Sequence, residues 1–145
     1  MTTRAEIVAA ARRYQGARWT HQGRRDDAMD CAGLVLKVAR ELGFSTLDVT
    51  GYAVRATDES MLALCRVHLV EIGRADLAPG DVVVMRFAGN RHIGIVGDYP
   101  YGGLSVIHAQ TMHPRCVTEN ALSPQWLTHV KATVAGCFRF PGIAE

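Results

Sequence analysis

In the run Asp30-Cys31-Ala32-Gly33-Leu34 a cysteine follows directly on an aspartate, a residue type suited to capping a helix. In the first turn of that helix its sulfur meets unsatisfied backbone N–H groups and the positive end of the helix dipole, and both stabilise a thiolate. A cysteine nucleophile also needs a base within hydrogen-bond reach and a third group that fixes the ring and tautomer of that base. Two histidines can fill these places. His92 heads His92-Ile93-Gly94-Ile95-Val96, where Gly94 leaves open space beside a strand, and His108 closes Leu104-Ser105-Val106-Ile107-His108. Adjacent antiparallel strands bring such rings together, with Cys31 as nucleophile, His92 as base and His108 as orienting group. The helix terminus and His92 are then expected to hold Cys31 partly as thiolate at neutral pH. The plain alternatives are a small buried apolar cysteine and two unrelated strand histidines. Each is common alone, and the combination is not.

The elements that must position these residues can be read from periodicity. Thr3-Arg4-Ala5-Glu6 has the form of a capping box, and Ile7, Ala10, Ala11 and Tyr14 follow at helical spacing to Gly16, so the first helix is predicted over about 4–15. Residues 17–29 read as a polar loop carrying Trp19 and His21. Asp30 then caps a second helix whose apolar face is Cys31, Leu34, Val35, Val38, Ala39 and Leu42, ended by Gly43. Asp58 is placed to cap a third helix with Met61, Leu62, Leu64 and Cys65. Beyond it, runs rich in Val, Ile and Phe alternate with turn residues: 68–72, 82–87, 92–98, 104–109, 116–119 and 133–140. The separators are too short for helical crossovers, which predicts a meander of five or six antiparallel strands. Helices first and strands second define an α+β domain with the N-terminal helices packed on the sheet.

With 145 residues the chain has room for a single domain, 1–145, with one core. A net charge of +2, with no basic stripe, argues against nucleic acid as the main partner. No apolar run reaches the length of a membrane span, and the first residues lack the basic and apolar regions of a signal peptide. Synthesis in the cytoplasm is therefore expected, with any action outside it depending on another route of delivery. The four cysteines, Cys31, Cys65, Cys116 and Cys137, are irregularly spaced in a chain large enough to fold without staples, and are expected as free thiols. Cys65 with His68, and His113 with Cys116, have the spacing of zinc-ligand pairs. Cys65 among apolar helical neighbours is more simply a core residue, so neither metal nor cofactor is expected.

The chain resembles the NlpC-type papain-like cysteine peptidases, which cut bacterial cell-wall peptides. The resemblance rests on Asp30-Cys31-Ala32-Gly33-Leu34, Ala78-Pro79-Gly80-Asp81-Val82 leading into a strand, His92-Ile93-Gly94-Ile95 and Val106-Ile107-His108-Ala109, in that order. It is similar to the small phage-tail and gene-transfer-agent members also in Tyr14 to Gln22, Val117-Thr118-Glu119 and Phe138-Arg139-Phe140-Pro141-Gly142. The resemblance implies a papain-like core, a Cys31-His92-His108 triad and hydrolysis of peptidoglycan stem peptides, at the bond between D-glutamate and a diamino acid, through a thioester. It also implies a place on the cell wall or periplasm and phage tail-tip proteins as partners. Where relatives carry a tyrosine near the oxyanion site this chain has Trp19, whose indole N–H has a different reach. Trp19, Asp30 and His21 are thus the candidate substrate-side residues. Two other readings share the pattern: a tail-assembly protein with a vestigial or gated site, and an injected antibacterial amidase.

Overall fold

The computed structural model describes residues 1–54, 58–87 and 89–144. Helix α1 spans Arg4–Arg12, with Thr3 accepting a hydrogen bond from the Glu6 N–H as expected of its cap. It stops short of the predicted residue 15, because Arg13 to Ala17 leave the helix in tight turns. The stretch read as a loop contains three two-residue strands, β1 (Arg18–Trp19), β2 (Arg24–Arg25) and β3 (Ala28–Met29), ordered β1-β3-β2. Strands this short carry no period, so composition alone reads them as loop.

Helix α2 (Cys31–Glu41) buries Leu34, Val35, Val38 and Ala39 against the main sheet. Gly43, at φ +79°, lets Phe44 turn back so that its N–H reaches the Ala39 carbonyl, the chain reversal that ends a helix. Helix α3 (Ser60–His68) has Glu59 and not the expected Asp58 at its N-cap position, while Asp58 accepts from the Ser60 N–H and hydroxyl just ahead of it. His68 lies in this helix and not in the strand predicted from it, which begins two residues later.

Strands β4 (Val70–Ile72), β5 (Val82–Phe87), β6 (Asn90–Asp98), β7 (Leu104–Ala109), β8 (Val117–Ala121) and β9 (Ala132–Arg139) form one antiparallel six-stranded sheet, as the α+β reading requires. Its order is β4-β9-β5-β6-β7-β8. The last strand therefore sits between β4 and β5, while β5 to β8 form the predicted meander. Alternation divides the buried side chains between two faces. Val82, Val84, Ile93, Ile95 and Ile107 join α1, α2 and α3 in the larger core, and Val83, Met85, Val96 and Val106 join a smaller one on the other face. That second face is covered by a short helix that the sequence reading missed, α4 (Pro124–His129), capped by Ser123.

Candidate active site

Asp30 caps α2 as predicted and, though almost fully buried, lines the same cleft as Cys31. Its carboxylate accepts from the Gly33 N–H at 2.8 Å, the Gln22 N–H at 2.8 Å, Arg24 at 3.1 Å and the Tyr52 hydroxyl at 2.5 Å. The helix start is thereby tied to the small sheet and to the segment after α2. Cys31, in the next position, is partly exposed on a cleft that it shares with His92. Backbone N–H groups of Ile93, Ala32 and Cys31 itself act on its sulfur, so the thiol lies against the start of β6.

The two histidines meet, as the strand reading requires. His92 Nε2 lies 2.6 Å from His108 Nδ1, with the rings near perpendicular at 4.9 Å between centroids. Gly94 makes this approach feasible: a Cβ there would stand 2.6 Å from Val106 Cγ2 and 3.1 Å from the Cβ of His108. His108 has no exposed surface, and its Nε2 lies 2.8 Å from Asn120 Oδ1. Asn120 was missed. Its signal was legible only once β7 and β8 were paired, since it stands opposite Val106, two residues along the same face from His108. Phe87 from β5 and Trp126 from α4 wall the pair, with ring centroids 5.1 Å from His92 and 5.6 Å from His108 respectively.

Burial dominates the electrostatics. It pushes the Cys31 thiol up to about 12, the Asp30 carboxylate adds to the rise, and the backbone N–H groups only partly offset them. Burial thus opposes the expected resting thiolate, which the backbone N–H groups at the helix terminus favour. His92 is lowered well below its ordinary 6.5, by burial first and then by His108. Burial lowers His108 to about 4, against the hydrogen bond to Asn120, which raises it. Cys31 and His92 line one cleft, and an imidazole that burial keeps uncharged is a base able to take the thiol proton as the sulfur attacks.

The cleft has a volume of about 250 Å³ and a largely apolar lining that includes Val35, Phe44, Met61, Leu64 and Phe140. Trp19 and His21 both line it, their rings 6.5 Å apart, and Arg115 lies 5.5 Å over the Trp19 ring. His21 also meets Tyr52 edge-on at 5.5 Å. Tyr52, in the segment between α2 and α3, brings a phenol to the start of α2. Burial and Asp30 both raise the pKa of that phenol, which keeps it protonated. Cys65 is buried in the core, and among the described residues no group of three or more His, Cys, Asp or Glu is placed to hold a metal ion.

A cysteine at the start of a helix, set against an antiparallel sheet that carries two coupled histidines, is the architecture of the papain-like hydrolases. Within that class, the model of the NlpC/P60 family matches residues 16–134, and the chain belongs to this family. As a member it is a cell-wall hydrolase. The fold is similar to the NlpC/p60 domain of the peptidoglycan hydrolase SagA, with 21% identity, a TM-score of 0.64 and coverage of 94% of this chain and 98% of that one. It is similar also to NlpC2 from Trichomonas vaginalis, at 18% identity and TM-score 0.64, covering 97% of this chain and 48% of that one. An N-acetylmuramoyl-L-alanine amidase from Bacteroides uniformis shows 12% identity and TM-score 0.60, with 94% and 97% of the two chains covered. No curated protein matches the chain in sequence. No helix among the described residues is long and apolar enough to cross a membrane.

Proposed function

We propose that the chain is a cysteine peptidase that cuts peptidoglycan stem peptides with Cys31, His92 and His108. The 2.6 Å coupling of His92 to His108, on the cleft that holds Cys31, carries this reading. In the forward step the Cys31 sulfur bonds to the peptide carbonyl carbon as its proton passes to His92. The tetrahedral intermediate collapses, the C–N bond breaks, and His92 returns the proton to the leaving amine. Water, activated by His92, then hydrolyses the thioester. The Trp19 indole N–H at the rim is a candidate donor to the developing oxyanion, with His21 beside it on the substrate side. The scissile bond is that between D-glutamate and a diamino acid, and the similarity to phage-tail members supports delivery to the wall on a phage tail or phage-like particle.

The test incubates wild-type protein and Cys31→Ala with peptidoglycan fragments of several chemotypes and identifies products by mass spectrometry. Cleavage at the proposed bond that disappears in Cys31→Ala supports the reading. His92→Ala is expected to lose nearly as much, and His108→Ala less, because an orienting group contributes less than the base. Full activity in Cys31→Ala overturns the mechanism. Absence of cleavage by folded wild type shifts weight to a structural or gated role on a tail.

A further inference from the structure

A neutral imidazole has one N–H and one lone pair, so in a chain of two imidazoles the group at the far end decides where every proton sits. His108 is held between His92 on β6, Phe87 on β5, Trp126 on α4 and Asn120 on β8. Of these only His92 titrates. Among the described residues Asn120 Oδ1 is the hydrogen-bond partner of His108 Nε2, at 2.8 Å. With no exposed surface on His108, leaving that nitrogen unpaired is costly.

An amide oxygen can only accept, so His108 Nε2 carries the proton and His108 Nδ1 keeps its lone pair. That lone pair faces His92 Nε2 at 2.6 Å, which must therefore be the protonated nitrogen of His92. His92 Nδ1 is then the free base. Turning the Asn120 amide over reverses every assignment: its NH₂ donates to His108, His108 donates to His92, and His92 Nδ1 is blocked by a proton. We infer that Asn120, which does not line the cleft, is a positioning residue whose side-chain carbonyl sets His92 in the tautomer that can take a proton from Cys31. The inference rests on the roles proposed for Cys31 and His92.

The direct test uses the full chain labelled with ¹⁵N-histidine and reads the tautomers from long-range ¹H–¹⁵N correlations at neutral pH. Both His92 and His108 are expected as the Nε2–H form. Kinetics on a stem-peptide substrate supply the second readout. Asn120→Leu removes the acceptor and is expected to lower kcat about ten- to hundredfold, the cost typical of removing an outer partner of a functional histidine, with KM little changed. Asn120→Asp, whose carboxylate also only accepts, is expected to keep most of kcat and to move the acid limb of the pH–rate profile upward, since a nearby anion favours the protonated ring. An Nδ1–H tautomer at His92, unchanged kcat in Asn120→Leu, or an Asn120→Asp as impaired as Asn120→Leu overturns the inference. If Asn120→Leu fails to fold, the wild-type spectrum and Asn120→Asp still decide it. The spectrum reads the relay in a chain that cleaves nothing, so failure of the relay and failure of the hydrolase reading are distinguishable.

Discussion

A thiol that burial pushes up to about 12 and imidazoles that burial pulls below their ordinary 6.5 coexist at neutral pH as uncharged groups. His92 is then a base already free of its proton, and activity is expected to persist below pH 6.5, where an exposed imidazole is mostly charged. Cleavage rates measured from pH 8 to 4 check this; an acid limb at or above 6.5 contradicts it. The same shifts bear on stability. Unfolded, both histidines titrate near 6.5, and folded, both hold protons less tightly, so between these values the unfolded chain binds more protons. Stability is therefore retained above about 6.5 and declines as pH falls, with a slope approaching about 1.4 kcal/mol per pH unit for each histidine. For His108 the decline continues to about 4. Urea midpoints across this range are expected to follow that slope, and His108→Gln to flatten it.

One element, α2, sets the position of the thiol, and its start is held by the four hydrogen bonds to Asp30. Asp30→Ala leaves the Gly33 N–H without its cap and the Tyr52 hydroxyl with Arg24 as donor but no acceptor, at a cost of about 2 kcal/mol. Cleavage is expected to fall further than the loss of folded protein explains, because the fraying turn carries Cys31. Thermal unfolding and kcat on the same preparation separate the two effects. This helix was legible from its cap, its apolar stripe and Gly43. The strands from β5 to β8 were legible from their Val-Ile runs and the turns between them. By contrast, β1 to β3 are too short to have a period, and six-residue α4 showed only the Ser123-Pro124 start signal.

Across the whole molecule, the chain ends are joined at Asp81, the aspartate of the Ala78-Pro79-Gly80-Asp81 turn. Its fully buried carboxylate accepts from Arg4 of α1 at 3.0 Å, from Arg139 of β9 at 2.9 Å and from the Ala78 N–H at 2.9 Å. The first helix, the start of β5 and the end of the inserted last strand thus share one anion. Asp81→Ala removes the common partner and leaves the Ala78 N–H without its acceptor, and is expected to cost on the order of 2 kcal/mol. Denaturant unfolding measures this, and a loss under about 1 kcal/mol would show that the cluster acts as a surface salt bridge.

Cys31 after its cap, His92 and His108 on successive strands, and the α+β order follow from residue types and near-neighbour spacing, because caps, periods and turns are local physics. Tertiary structure alone decided what depends on distant parts of the chain. Insertion of β9 between β4 and β5 is a pairing across long separations, which no local pattern encodes. Asn120 joined the histidines only when β8 aligned with β7. The burial that opposes a Cys31 thiolate has the same origin: a helix terminus can be read from the sequence, but desolvation is set by everything that packs around the sulfur.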